Sequence, residues 1–254
     1  MKKIAIFGCP RSGTSYLGQI LNFSEKVSYR YQPLWSYEFK DFFFKKKIND
    51  KNVKLFHKNL YQAKSSYVLT NLKNTKKKLT HLVWKEVRYH NIIKKLLKTN
   101  ELNNIIYIFR KPEAVINSWY NAPGEFKKNW NIFNEYFYAK KINKKKYDYY
   151  GLFKWIKSGK EILKLNNKKI IFICYEDLEK KPNKVIKKLF SKINLNYTKK
   201  INIFINKTKN RTSLKQYSIY KKKSKIKLPI EIYSKITKNK KASKIYNNLK
   251  IRSI

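Results

Sequence analysis

The sequence predicts one α/β domain in which a central parallel sheet is flanked by helices. Three observations carry that prediction. Short apolar runs alternate with segments of helical character along most of the chain, the pattern that successive βαβ units leave in a sequence. One of the runs, Asn104-Ile-Ile-Tyr-Ile-Phe109, is apolar without alternation, as a strand covered on both faces is. The 254 residues suffice for one large core, and no internal repeat or interdomain linker divides them.

Element by element, a strand near 2–8 leads through a glycine-containing turn to a helix near 13–23. A short strand follows from Val27 to Tyr31. Leu34 to Lys47 reads as helical and aromatic-rich, and 48–80 as polar and irregular, with helical character around His57 to Lys64. His81-Leu-Val-Trp-Lys85 forms a third strand, followed by a helix near Asn91 to Lys98. The Asn104–Phe109 strand ends in Arg110-Lys111-Pro112, and a helix runs on from Glu113 to Tyr120. Proline suits a first helical position because its missing N–H would have lacked a partner anyway. Aromatic, lysine-rich helices are expected across 125–165. The 170–174 strand comes next, then Lys181-Pro182 and an amphipathic helix through about Leu189. Beyond about residue 194 no element pattern is clear. Right-handed crossovers follow from the strand–helix alternation.

Formal net charge is +46, from 61 Lys and Arg against 15 Asp and Glu. The lysine runs Lys45–Lys47, Lys76–Lys78, Lys144–Lys146 and Lys221–Lys223 are scattered rather than gathered in a tail. A bias to Lys, Asn, Ile, Phe and Tyr is that of A/T-rich codons, which explains many lysines but not the scarcity of acids. Such a surface attracts anionic ligands and adheres to nucleic acid at low salt, without indicating a specific nucleic-acid partner. Cys9 and Cys174 fall at strand ends, and His57, His81 and His90 show no metal-ligand spacing, so a reduced protein without a metal is expected. Met1-Lys2-Lys3 runs straight into the first strand, leaving no room for a signal peptide. No apolar run approaches the roughly 18–20 residues of a membrane span. A cytoplasmic location is the expectation.

The stretch Ile4-Ala-Ile-Phe-Gly8-Cys-Pro-Arg11-Ser12-Gly13-Thr14-Ser15-Tyr-Leu17 is an apolar strand, a tight loop and a first helical turn. That arrangement aims backbone N–H groups and the positive helix end at one point, which is how proteins hold a phosphate. The spacing Gly8-x4-Gly13 is that of the nucleotide-binding P-loop, but Thr14-Ser15 stands where Lys-Ser/Thr is expected. The loop's cation is Arg11. An anion site without the P-loop lysine points away from ATP hydrolysis and toward another phosphate-bearing donor. Arg110, at the carboxyl end of a strand, lies at the edge where α/β proteins bind ligands.

Pro10-Arg-Ser-Gly-Thr-Ser-Tyr-Leu17 resembles the 5′-phosphosulfate loop of the sulfotransferases, which use 3′-phosphoadenosine 5′-phosphosulfate (PAPS). Arginine at the Arg11 position is common in the carbohydrate and tyrosylprotein branches. Arg110 and Ser118 resemble the family's pair that grips the 3′-phosphate. Tyr175-Glu-Asp-Leu178, with Pro182 and a helix behind it, is similar to a third family motif, whose tyrosine contacts the adenine in cytosolic members. The resemblance implies a P-loop NTPase-like fold over residues 1–254, with a donor core at about 1–24, 81–122 and 168–192. Arg11, Ser12, Gly13, Thr14, Ser15, Arg110, Ser118 and Tyr175 would bind the donor. Arg211, within Asn210-Arg-Thr-Ser213, corresponds to a late arginine that reaches the 3′-phosphate. Acceptor-lining segments would be about 25–80, 123–165 and 200–254. Glu176 and Asp177 read as structural residues near a helix start.

Sulfuryl transfer builds charge on the oxygen leaving with the phosphate, which Arg11 and the backbone of Ser12 to Ser15 would stabilise. The transferred group carries less charge than a phosphoryl, so no metal is required. Lys85 resembles the lysine of the cytosolic Lys-Thr-His segment, but the histidine position falls on Val87, which takes no proton. For the general base the leading candidate is Glu86, which could instead form a surface ion pair with Lys85 or Arg88. Gln32-Pro-Leu-Trp35 resembles the Glu-Pro-Leu/Val-Trp segment of carbohydrate sulfotransferases, with glutamine in the glutamate's place. His90 is a third candidate base. The expected activity is transfer from PAPS to a hydroxyl, less readily an amine, of a small-molecule or glycan acceptor, with carbohydrate foremost. The alternatives are a P-loop kinase or nucleotide hydrolase, disfavoured by Thr14, and a basic nucleic-acid-binding protein, supported by charge alone.

Overall fold

Strand β1, Lys2–Phe7, can occupy only the middle of a sheet, because Ile4, Ala5, Ile6 and Phe7 leave neither face for water. The computed structural model describes residues 1–69, 79–209 and 227–254 and places β1 there. With β2 (Val27–Tyr31), β3 (His81–Glu86), β4 (Asn104–Phe109) and β5 (Ile170–Cys174) it forms one sheet in the order β2-β3-β1-β4-β5. Every pairing is parallel. The chain lays β2 and β3 on one side of β1 and then crosses to place β4 and β5 on the other. The order therefore reverses at β1, and the crevice beyond its carboxyl end is where open α/β sheets bind ligands.

On one face, Ile4, Ile6, Val83, Ile106, Ile108, Ile171 and Ile173 pack against the helices Thr14–Asn22, Pro182–Ile193 and Lys199–Lys209. On the other, Phe7, Trp84, Tyr107 and Phe172 meet the helix Asp50–Gln62 and the aromatic turns that precede it. Phe56 is the hub of that face, with ring contacts to Phe39, Phe42, Phe43 and Trp84. A third cluster joins Val115, Ile116 and Trp119 of the helix Pro112–Tyr120 to Trp155 of the helix Gly151–Leu163 and to Ile232 and Ile236 of the helix Ile230–Thr237. The final helix, Lys240–Ile251, returns to lie along Gly151–Leu163, where Gly159 leaves room for Ile245.

The fold class and all five strands agree with the expectation, and the helices on the β2 side correct it. Leu34 to Lys47 is not a helix: it holds a 3-10 turn at Pro33–Trp35 and a single helical turn at Phe42–Lys45. Asp41, at φ +58°, breaks the backbone between them, and the phenylalanines pack as ring pairs instead of along one helical stripe. The irregular stretch contains a 13-residue helix, Asp50–Gln62, whose N-cap Asn49 accepts from Asn52 N–H at 2.9 Å. Its buried positions Val53, Phe56, His57 and Leu60 keep helical spacing, but the lysines and asparagines between them dilute the signal. Arg30, buried on β2, closes that helix by donating to the carbonyls of Leu60 and Tyr61, both at 2.8 Å. The helix expected near Asn91 to Lys98 shrinks to His90–Ile92 and Ile93–Leu96. Across 125–165 only Gly151–Leu163 is long, and Gly151 at φ +80° starts it abruptly. The described residues beyond about 194 add three helices, Lys199–Lys209, Ile230–Thr237 and Lys240–Ile251. Among the described residues, no helix is long and apolar enough to cross a membrane.

Candidate functional site

The loop after β1 is built for close approach. A Cβ on Gly8 would stand 2.3 Å from the carbonyl oxygen of Ile108, so the loop leaves the sheet tight against β4. Arg11 at φ +71° and Gly13 at φ +94° turn successive peptides inward, and Ser12 N–H closes the turn on the Cys9 carbonyl at 3.1 Å. The helix Thr14–Asn22 then starts with no side-chain cap and no acid in its first turn. Its positive end is therefore presented uncancelled to whatever lies above the loop.

Three distant segments converge on that point. Arg11 Nε donates to Ser118 Oγ at 3.2 Å, and Arg110 Nη1 to the Arg11 carbonyl at 3.4 Å. The Arg110 guanidinium lies 4.4 Å over the ring of Tyr175, which in turn packs against Gly13. Ser12 Oγ and Arg110 Nε are buried without hydrogen-bond partners among the described residues. Buried orphan donors are costly, and an anion seated on the loop would satisfy them. Arg211 lies outside the described residues.

Lys85 enters from β3. It is 1% exposed, donates to Ser15 Oγ at 3.1 Å and Thr14 Oγ1 at 3.5 Å, and sits 4.2 Å over the Tyr31 ring. The ammonium missing from the loop at Thr14 is thus supplied from the neighbouring strand. Burial lowers its pKa to about 7, with the charge of Glu86 opposing.

The two candidate bases from the same region are differently placed. Glu86 is fully buried, so it forms no surface ion pair; its Oε1 accepts the Leu34 N–H at 2.7 Å and holds the Pro33–Trp35 turn. Burial pushes this carboxyl up to about 8. His90 is enclosed beneath the loop, its Nδ1 2.5 Å from Ser158 Oγ and its ring stacked on Tyr149. Burial pushes it down to about 3, and it is not brought into the cluster. Glu176 accepts from Lys111 N–H and Tyr246 hydroxyl, and Asp177 pairs with Lys250, so both tie elements together.

The sequence profile of the sulfotransferase family matches residues 3–199. The chain belongs to the sulfotransferase family. Among solved structures it is similar to the mouse sulfotransferase SULT7A1 complexed with PAP, at 17% identity and TM-score 0.51. That likeness covers 82% of this chain and 63% of the mouse one, so the chain spans less than two thirds of that enzyme's length. It is similar to the sulfotransferase domain from the curacin biosynthetic pathway at 17% identity and TM-score 0.52, over 98% of this chain and 97% of that one. Retinol dehydratase in complex with androsterone and the inactive cofactor PAP matches at 17% identity and TM-score 0.52, over 100% and 83%. At these identities the likeness is one of fold. No curated protein matches the sequence.

Beside the loop, this sulfotransferase presents an aromatic face. Trp35 is 39% exposed, and the Arg88 guanidinium lies 3.6 Å over its ring, anchored by Asp148 at 3.0 Å. Gln32, at φ +39°, accepts from the Tyr67 hydroxyl at 3.4 Å. One acidic residue here has no counterpart among the sequence candidates. Glu125, on the turn after the Ser118 helix, places Oε1 3.7 Å from Arg11 Nη1. Its only sequence signal is being a carboxylate in an acid-poor chain, next to Pro123-Gly124.

Proposed function

We propose that this sulfotransferase moves a sulfuryl group from PAPS to a hydroxyl of a carbohydrate acceptor. The convergence of Arg11, Arg110, Ser118 and Tyr175 on the uncapped start of the Thr14–Asn22 helix carries the reading. The backbone of Ser12 to Ser15 and the helix end suit the 5′-phosphosulfate. Arg110 offers a planar fork, its Nε without a partner among the described residues, and Ser118 a hydroxyl; together they suit the 3′-phosphate. Tyr175 alongside is the adenine contact. Cleavage leaves charge on the bridging oxygen of the departing nucleotide, and Arg11 and Lys85 are the cations stationed there. Glu86 acts in this scheme by holding the Pro33–Trp35 turn.

The acceptor class rests on Trp35. A half-exposed indole held flat by Arg88 gives the apolar face of a sugar ring a surface to stack on, and Gln32 and Tyr67 offer hydrogen bonds beside it. Incubation with sulfur-35-labelled PAPS and a panel of glycans, tyrosine peptides and lipids tests this, with label expected on a glycan. Calorimetry with 3′,5′-adenosine bisphosphate is expected to show binding without metal. Binding of ATP–Mg2+ with none of the bisphosphate would establish a P-loop kinase or hydrolase instead. Salt-steep binding of nucleic acid with no nucleotide preference would establish the binding protein.

A further inference from the structure

We infer that Glu125 is the general base of the transfer and takes the proton of the acceptor hydroxyl; this rests on the PAPS reading above. Sulfuryl transfer to a hydroxyl needs a proton acceptor within reach of that hydroxyl and of the donor loop. Glu86 is sealed under the Pro33–Trp35 turn, and His90 is walled in by Phe7, Tyr107 and Tyr149. Asp148 holds Arg88, and Asp41 accepts from the Tyr89 hydroxyl at 3.1 Å. Gln32 takes no proton at all.

Glu125 meets each requirement these groups fail. Its side chain is 33% exposed, so an acceptor can reach it. Its Oε1 faces Arg11, whose Nε bonds Ser118, so one guanidinium joins the carboxylate to the donor cluster. Its Oε2 is buried with no hydrogen-bond partner among the described residues. A carboxylate with one oxygen left without a donor keeps a lone pair free to take a proton. The charge also bears on Tyr31 and Tyr150, adding to the rise that burial causes in both, and on Lys85, where it opposes the lowering by burial. The backbone is pinned at both groups, Glu125 N–H to the Ala122 carbonyl at 2.8 Å and Trp119 Nε1 to the Glu125 carbonyl at 3.4 Å. Trp119 is the neighbour of Ser118 on one helix, so the carboxylate and the donor contact move as a unit.

In the step, the acceptor O–H proton passes to the Glu125 carboxylate as the acceptor oxygen bonds sulfur. The bond from sulfur to the 5′-phosphate oxygen breaks, and its electron pair stays on the departing bisphosphate beside Arg11 and Lys85. The proton then leaves to solvent from the exposed side of Glu125.

The test uses the full chain with PAPS in aqueous glycerol at about 1 M, so that sulfate and glycerol sulfate together count every turnover; a base of this kind contributes about 10²–10⁴-fold. Glu125→Gln is expected to lose turnover by that factor while binding 3′,5′-adenosine bisphosphate within threefold of wild type. Added formate is expected to restore part of the turnover to Glu125→Ala. Turnover within threefold of wild type in Glu125→Gln overturns the assignment. So does a more than tenfold loss of bisphosphate binding without formate rescue, which would make Glu125 a positioning residue for Arg11. Bisphosphate binding by wild type without any turnover also overturns it. No bisphosphate binding by wild type would instead sink the PAPS reading.

Discussion

Replacing Gly13 by alanine probes the joint between the anion loop and Tyr175. The backbone there sits at φ +94°, and a side chain in left-handed conformation costs about 1–2 kcal/mol. The added Cβ would stand 2.3 Å from Tyr175 Cδ2 and 2.7 Å from Cε2, so the ring must move. That ring lies under the Arg110 guanidinium at 4.4 Å and cannot move freely. Relieving an overpacked contact costs about 1–3 kcal/mol, and the displaced cation–π contact about 0.5–2 kcal/mol more. The total falls at roughly 3–7 kcal/mol, and a chain of this length loses about 2–4 °C per kcal/mol. Gly13→Ala is therefore expected to melt about 6–28 °C below wild type by calorimetry or circular dichroism. In a double-mutant cycle, Gly13→Ala in a Tyr175→Ala background is expected to cost less, because only the backbone term remains. A Gly13→Ala protein melting within about 2 °C of wild type, a shift worth under about 1 kcal/mol, would refute the locked-loop geometry.

Arg110→Lys keeps the charge but loses the fork and the stack on Tyr175, so bisphosphate affinity is expected to fall about 10–100-fold by calorimetry; an unchanged Kd contradicts it. Burial raises the Glu86 carboxyl to about 8, so the folded chain holds this proton more tightly than the unfolded one. The resulting stability is full below the unfolded value of 4.5 and is lost as pH rises through 8. Glu86→Gln cannot titrate, so melts between about pH 5 and 8 should lose a slope of order 1 kcal/mol per pH unit, and parallel curves would contradict the burial argument. Trp35→Ala removes the surface under Arg88 and is expected to raise the KM for a glycan acceptor about 10-fold, with bisphosphate binding unchanged, and an unmoved KM removes Trp35 from the acceptor site.

What was legible beforehand followed the range of the forces involved. β1, β4 and β5 are readable because being buried on both faces demands continuous apolar runs, a signal carried by four or five adjacent residues. The helix Asp50–Gln62 is only faintly legible because its stripe of Val53, Phe56, His57 and Leu60 is spread among lysines and asparagines. The aromatic stretch after Trp35 departs from the helix its composition suggests because its phenylalanines pack onto Phe56 and Tyr89, partners that lie elsewhere in the chain.

The same division runs through the site. The sequence by itself determined the anion loop and its arginine, since glycine spacing, a preceding apolar strand and a helix start are local requirements of holding a phosphate on backbone N–H groups. It also named Arg110, Ser118 and Tyr175. Tertiary structure alone decided how the charges are used. It brought Lys85 from β3 to the place where the loop has Thr14, sealed Glu86 beneath a turn, and carried Glu125 to Arg11. Whether a carboxylate or an ammonium is a base, a clamp or a surface charge depends on its distance from water and from other charges across the fold. That distance is a property of packing between segments, and no pattern of neighbouring residues encodes it.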